Sequence, residues 1–413
     1  MIRTGCIPTK KQLDFMDWEF GAFFHFGIRT FYEGHTDWDM KEMPLSGFAP
    51  TDFSAEDWCR TVRDAGAKYA ILTAKHHDGF ANWPSAYTDY SVKNTPWKDG
   101  KGDVVGEFVD ACRKYDLKVG LYYSPAQFGS VNMNAEEYDT YFINQIGELL
   151  TNYGKIDYLW FDGCGSANHN YDQKRIISAI RGFQPDILIF GMWDPDTTWC
   201  GNEAGYSRYP NYYEKDVSSL VCYGREGDSE AGYRFLPDEC DCRIRNMWFY
   251  GDADKPNLKS LEVLMGIYEL SVGRGSNLLL NIGPDRRGRL PEEDKLRLAE
   301  FVAEIKRRFA EPMECELVKN GDTFEICIGE DEKEVNCFVI EEDITNGQSV
   351  MEFDIAVYYN TENAEIPFAL FNGTTIGRKV ICSFPAVYAR RFTVKIKKHD
   401  GDYSIKSITP YKY

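Results

Sequence analysis

The residues best suited to chemistry in this sequence are carboxylates and imidazoles that close apolar runs. The run Tyr158-Leu159-Trp160-Phe161 ends abruptly in Asp162-Gly163. Its length suits a buried strand of a parallel sheet, and an ionised carboxylate is too costly to leave unpaired inside one. Asp162 is therefore expected at the strand's C-terminal mouth, where it can attack an electrophilic carbon or move a proton. The plainer alternative is an aspartate that caps the next helix or pairs with an arginine. Histidine follows the same pattern. Of six in the chain, His25 closes the run Gly21-Ala22-Phe23-Phe24, and His76 and His77 follow Tyr69-Ala70-Ile71-Leu72-Thr73-Ala74-Lys75. A lone buried histidine is usually a satisfied core residue, whereas three converging on one mouth make a ligand shell. Neutral imidazoles donate and accept hydrogen bonds, which suits sugar hydroxyls. There is no His-x-His pair and no His-Glu-x-x-His helix, so no dedicated metal cage is expected. His169 and His399 carry no such context and are expected at the surface.

Cleavage of a glycosidic bond needs two carboxylates, one to attack or to activate water and one to protonate the leaving oxygen. The partner of Asp162 is expected within Trp193 to Gly251, where Gly, Pro, Tyr and charged residues break every periodicity. A loop region this long in a compact domain is usually functional. It offers Glu203 in Trp199-Cys-Gly-Asn-Glu203-Ala-Gly-Tyr206, Glu226 in Gly224-Arg-Glu226-Gly, and Glu239 in Pro237-Asp-Glu239-Cys-Asp241. Glu203 is set among small and aromatic residues with no base adjacent in sequence, a setting that favours a protonated general acid. From these residues alone the three remain open.

The elements that must position these groups alternate. Strands are expected at 21–27, 69–74, 118–123, 158–161, 187–190 and 277–281. Helices are expected from Ser54, near 104–115, 135–153, 171–183 and 258–272, and from Pro291 to about Phe309. Parallel βα units explain that rhythm. Because successive strands deposit His, Tyr or Asp at the same end, the α/β reading is an irregular (β/α) TIM-like barrel over residues 1–312. Beyond Pro312, alternating segments such as 323–328, 350–358 and 391–396 predict a small C-terminal antiparallel β-sandwich over 313–413.

Composition narrows the partners. With 47 basic and 65 acidic residues the net charge is −18, and no basic run is available to neutralise phosphates, which excludes nucleic acid and anionic membrane as expected partners. Rings make up 15% of the chain; most belong to cores, although flat apolar faces also suit sugars. The twelve cysteines are scattered, with Cys240-Asp-Cys242 lacking the spacing and the second pair of a zinc site. They predict reduced thiols and, with no signal-like or membrane-spanning run, a cytoplasmic location.

Taken in order, Phe24-His25-Phe26-Gly27, Ala74-Lys-His76-His77-Asp78-Gly79-Phe80, Trp160-Phe161-Asp162-Gly163 and Asn277-Leu-Leu-Leu-Asn281 followed by Gly-Pro-Asp resemble the signatures of glycoside hydrolase family 29, the retaining α-L-fucosidases. The likeness covers most of residues 12 to 310. It implies a barrel followed by a β-sandwich, and hydrolysis of α-linked L-fucose in an oligosaccharide or glycoconjugate by double displacement, with no cofactor. It makes Asp162 the nucleophile, His25, His76 and His77 contacts to fucose hydroxyls, and Tyr122 a wall of the sugar site. Gly201-Asn202-Glu203-Ala204-Gly205-Tyr206, with Arg243-Ile-Arg245 and Trp248-Phe249-Tyr250, resembles the subfamily that prefers α-1,3 and α-1,4 linkages, which favours Glu203 as general acid/base. The fucose methyl would find an apolar seat near Trp38 and Trp248. The family shows Glu-Trp after the first strand, where this chain has Asp37-Trp38 after a longer loop. Three other readings stay open: a catalytically silent fucose-binding protein, a retaining exo-glycosidase for another sugar, and a metal-dependent hydrolase.

Overall fold

The computed structural model describes residues 6–126, 132–166, 169–217, 232–360 and 365–413. Eight strands form a nearly closed parallel barrel: β1 (Phe20–Phe24), β2 (Tyr69–Lys75), β3 (Lys118–Tyr123), β4 (Tyr158–Phe161), β5 (Leu188–Phe190), β6 (Thr198–Trp199), and, after the β7 (Glu214–Asp216) and β8 (Tyr233–Phe235) hairpin, β9 (Asp238–Arg243) and β10 (Asn277–Asn281). Their order is β5-β4-β3-β2-β1-β10-β9-β6. A single parallel bridge between Phe190 and Thr197 brings the ends of the sheet together.

Helix α1 (Lys10–Met16) precedes β1, and α2 (Ala55–Asp64), α3 (Val104–Lys114), α4 (Ala135–Thr151), α5 (Gln173–Phe183), α6 (Leu261–Ser271) and α7 (Glu292–Phe309) lie between or after the strands. For α2, α3 and α4 the polar residue ahead of the start supplies the reason it begins there: Ser54, Asp103 and Asn134 each accept a backbone N–H three residues on, satisfying donors that the first helical turn leaves free. Among the described residues no helix is long and apolar enough to cross a membrane.

The two-residue period of a strand sorts its side chains into two cores. Phe24, Leu121, Tyr123, Leu159 and Phe161 point outward to the helices, packing with Trp58, Phe108 and Phe142. Phe23, Tyr69, Ile71, Tyr122, Tyr158, Trp160, Phe190 and Leu279 point inward, with Phe15 of α1 joining them. Gly21 makes room for this interior, because a Cβ there would lie 2.4 Å from the ring of Tyr69.

Two strands depart from the sequence expectation. The region 193–251, expected to lack regular elements, contributes both β6 and β9 to the barrel. Strand β6 has only two residues, and β9 reads Asp-Glu-Cys-Asp-Cys-Arg with Asp238 to Cys242 all buried, so neither shows the apolar run that marks a barrel strand.

Beyond α7 the chain forms two antiparallel sheets, β11-β12-β17-β14-β15 and β16-β13-β18. The strands are β11 (Glu316–Asn320), β12 (Thr323–Cys327), β13 (Lys333–Glu342), β14 (Val350–Asn360), β15 (Glu365–Gly373), β16 (Val380–Ala389), β17 (Arg391–His399) and β18 (Ile405–Tyr411). Phe338, Phe353, Phe392, Ile340 and Val394 fill the space between the sheets, giving the C-terminal β-sandwich. Every cysteine among the described residues is a free thiol.

Candidate functional site

A cavity of about 760 Å³ opens at the C-terminal end of the barrel strands. Asp162, Glu203, His25, Asp37, Trp38, His76, His77, Tyr122 and Trp248 all line it, so the structure brings every candidate of the favoured set to one place. Of the alternatives, Glu239 is fully buried deeper in the barrel and does not line the cavity. Glu226 lies outside the described residues.

Alternation explains the convergence. In β4, Tyr158 and Trp160 face inward, and Asp162, the first residue past the strand, continues that side. Likewise Phe23 is followed by His25 beyond β1, whose ring nitrogen Nδ1 lies 2.8 Å from Asn281 Oδ1 at the end of β10.

Asp162 is held by three donors. Tyr122 OH donates to Oδ2 at 2.8 Å, the Cys164 backbone N–H to Oδ1 at 2.8 Å, and His77 Nε2 lies 3.2 Å from Oδ2. On the far side His77 Nδ1 meets Ser124 Oγ at 2.7 Å. Burial opposes ionisation of Asp162, but the His77 charge and hydrogen bond, with the Cys164 and Tyr122 donors, outweigh it and hold the carboxyl at about 2. Burial likewise disfavours a charged His77, yet the Asp162 carboxylate raises it to about 9. The other two histidines behave in the opposite way. Burial lowers His25 to about 3, against the pull of Asn281, and pushes His76 well below its ordinary value, with the positive neighbour His77 adding to the effect. The shell thus contains two neutral imidazoles and one imidazolium, where three neutral rings were expected. His76 stacks on Tyr122 at 5.4 Å, and its Nδ1 is buried with no hydrogen-bond partner among the described residues, as is Asp37 Oδ1.

This ion pair has a testable pH signature. A raised His77 contributes stability that is complete below the ordinary histidine range near 6.5 and is lost as pH climbs through about 9. A depressed Asp162 contributes stability present above the ordinary aspartate range and lost as pH falls through about 2. The expected result is that unfolding free energy declines between roughly pH 6.5 and 9 by an amount on the order of 2 kcal/mol for this pair, and that His77→Gln flattens the decline. Denaturant titrations across that range measure it; an unchanged slope in the variant would place the His77 proton elsewhere.

A buried arginine organises the approach to the cavity. Arg29, fully buried, donates from Nε to Asp78 Oδ2 at 2.9 Å, from Nη2 to Asp39 Oδ1 at 2.7 Å and from Nη1 to the Thr36 carbonyl at 2.8 Å. One side chain therefore ties the segment carrying Asp37 and Trp38 to the turn carrying His76 and His77. His35 adds to this segment with Nε2 3.1 Å from the Arg29 carbonyl. Burial raises the Asp37 carboxyl, against the nearby His35 and Arg29.

Glu203 stands on the wall built by β6 and β9. The chain after β6 bridges back to β9 through Ala204 and Cys242, and Gly205 permits the close approach: its φ is +80°, and a Cβ there would lie 2.8 Å from Ile267 and 3.0 Å from Cys242 Sγ. The base-free setting expected for Glu203 is not found. Arg243 Nη2 lies 3.3 Å from Glu203 Oε2, with the glutamate side chain 47% exposed. The pairing crosses from one barrel segment to another, so adjacency in sequence does not reveal it. The same guanidinium lies 5.0 Å over the Trp248 ring, which packs on His25 at 4.8 Å. Strand β9 presents Glu239, Asp241 and Arg243 on alternate positions, and Asp241 also lines the cavity.

Other residues lie apart or were missed. The His169 side chain is only 5% exposed, with Nε2 2.9 Å from Asp139 Oδ1 and its ring on Tyr171, so it is not the surface residue expected; His399 is exposed. Among the described residues no group of three or more His, Cys, Asp or Glu side chains is arranged to hold a metal ion. Trp160, Trp199, Arg208, Asp241 and the exposed Cys164 thiol join the lining without having been singled out. Trp160 was legible by alternation alone.

Comparison with known proteins gives the same direction. A family model described as alpha-L-fucosidase matches residues 8–307. Alpha-L-fucosidase 1 of Arabidopsis thaliana is 37% identical over 305 residues, which is 71% of this chain and 59% of that protein; the chain thus spans a little over half of that relative. A solved glycoside hydrolase 29 family member from an unknown rumen bacterium has a TM-score of 0.87 and 35% identity, covering 99% of this chain and 78% of the other. A glycoside hydrolase 29 fucosidase from Ruminococcus gnavus, solved in complex with fucose, has a TM-score of 0.83 and 26% identity, covering 100% and 96%.

Proposed function

From the chain's membership of the alpha-L-fucosidase family, we propose that it removes terminal α-linked L-fucose from branched glycans, with net retention and a preference for α-1,3 and α-1,4 linkages. The observation that carries this reading is a carboxylate, Asp162, kept ionised by His77, Tyr122 and a backbone N–H, in one cavity with a second carboxylate, Glu203, on the adjoining wall.

In the first step Asp162 attacks the anomeric carbon while Glu203 hands a proton to the departing oxygen. A fucosyl ester on Asp162 forms and the glycosidic bond breaks. In the second step Glu203 takes a proton from water, the water oxygen attacks the anomeric carbon, and Asp162 leaves as a carboxylate. Retention calls for carboxyl groups roughly 5 to 5.5 Å apart, room for one sugar carbon but not for an interposed water. The neutral His25 and His76 serve as paired donors and acceptors for fucose hydroxyls, and His76 Nδ1 and Asp37 Oδ1, which make no hydrogen bond among the described residues, can join them. The fucose methyl rests near Trp38 and Trp248. The complex of the Ruminococcus gnavus relative with fucose supports the sugar.

The test is the configuration of the first product. Proton NMR within the first turnovers on an aryl α-L-fucoside is expected to show α-fucose before mutarotation; β-fucose first would sink the retaining mechanism. A panel of 2'-fucosyllactose beside Lewis-type trisaccharides tests the linkage, and preference for the linear 2'-linked sugar removes the subfamily assignment.

A further inference from the structure

The cavity is larger than one deoxyhexose requires, and besides the candidate sugar contacts its lining takes in the wall that carries Glu203. From there it runs past Trp199 and Arg208 to Tyr212 and Asp216. Trp199 is the residue of interest. It sits on β6, four positions before Glu203, with 37% of its surface exposed in a cavity where most other rings are buried. Its indole does not swing freely: Nε1 donates to Asp241 Oδ1 at 2.7 Å. Asp241 is itself 5% exposed and lies two positions along β9 from Arg243, the partner of Glu203. The wall therefore holds a fixed, half-open aromatic face next to the candidate proton donor. Arg208 lies close by, its Nη2 only 3.1 Å from where a Gly201 Cβ would be.

We propose that Trp199 is the platform on which the leaving glycan stacks, a specificity-determining residue for the group that departs, and that Asp241 is the positioning residue that fixes its ring. This deepens the fucosidase reading and rests on it. A proton donor must touch the oxygen between fucose and its leaving group, so the first sugar of that group lies against the wall that bears Glu203. An apolar sugar face gains from a flat ring there, while Arg208 and Tyr212 offer polar edges to its hydroxyls. Fixing the indole by one hydrogen bond removes the need to order it on binding, which makes the contact more favourable. Burial raises the Asp241 carboxyl to about 8, against the Trp199 hydrogen bond and with the Glu203 charge adding to the rise. At neutral pH it is then a neutral acceptor for the indole N–H.

The experiment compares α-fucosyl fluoride, whose leaving group is one atom, with a Lewis-type trisaccharide. For Trp199→Ala the ratio of kcat/KM on trisaccharide to kcat/KM on fluoride is expected to fall roughly 10-fold or more, carried by KM. Trp199→Phe restores most of it by keeping a flat ring. Asp241→Leu reproduces part of the loss, and Asp241→Asn, which keeps an acceptor for the indole N–H, restores it. Equal losses on both substrates would make Trp199 merely structural, and an unchanged ratio would remove it from recognition; either overturns the proposal. An independent arm reads trisaccharide binding to Asp162→Asn by calorimetry, where adding Trp199→Ala must weaken affinity by a similar factor, and equal affinity overturns the platform. Failure of the unmodified enzyme to hydrolyse the fluoride counts against the fucosidase reading itself, while the binding arm still decides Trp199.

Discussion

Asp162→Ala is expected to lower kcat on an aryl α-L-fucoside by on the order of 10⁴-fold or more, since it removes the atom that forms the covalent intermediate. The fold should survive, because Asp162 lies beyond the last residue of β4 and its side chain is 28% exposed to the cavity. The alanine variant does leave His77 without its anionic neighbour. Burial then governs the imidazole, which becomes neutral near pH 7 instead of remaining charged to about 9. Asp162→Asn removes nucleophilicity and charge with little change of shape, keeping one amide oxygen as acceptor for the Cys164 N–H while its NH2 faces Tyr122 OH. Circular dichroism and melting curves report the fold, and steady-state turnover reports the chemistry. Mass spectrometry after reaction with a slow 2-fluoro fucosyl donor should place the adduct on the peptide containing Asp162. Activity in either variant within tenfold of the unmodified enzyme would exclude the assignment.

Glu203→Ala is expected to reduce hydrolysis of unactivated glycosides by roughly 10²- to 10⁴-fold, the range for loss of a general acid, and far less for aryl fucosides with good leaving groups. Azide should restore turnover of those activated substrates, entering the space the side chain vacates and giving a fucosyl azide of the same configuration as the substrate. The Arg243 guanidinium, freed from its contact 3.3 Å away, draws the anion there. If azide does nothing, the acid must be sought elsewhere. Glu239 is an unpromising substitute. It lies beneath the cavity in a fully buried site, leaving Glu226 as the one to vary next.

The first prediction stands on a residue that the sequence made legible, for a simple physical reason, whereas Glu203 was left open beside Glu226 and Glu239 by the residues alone. In β1 to β4 a charged or polar residue at the end of an apolar run must sit where the strand meets solvent, and the two-residue period fixes which way it points. His25, His76, His77, Tyr122 and Asp162 follow from that rule. The β9 wall does not. Its acids survive burial because donors come from distant strands, as Tyr69, Tyr158 and Trp160 do for Glu239, and a local pattern carries no trace of partners more than 70 positions away. For the same reason the sequence did not disclose the Arg243 contact of Glu203 or the burial of His169 against Asp139. The charge of His77 was equally hidden, since it depends on a carboxylate 85 positions further along the chain.

Glu239 also has a bearing on how such a protein can change. Its carboxylate accepts from Tyr69 OH at 2.5 Å, Trp160 Nε1 at 2.8 Å and Tyr158 OH at 3.2 Å, so a single side chain on β9 braces β2 and β4 from within. Trp160 in turn supports Tyr122, 5.4 Å away in a stacked arrangement, and Tyr122 holds Asp162. The floor of the cavity is thereby fixed independently of the long connections above β6. Insertions and substitutions in those connections can accumulate, and the choice of leaving group can drift across descendants of this chain, while the geometry that grips the terminal sugar is inherited intact.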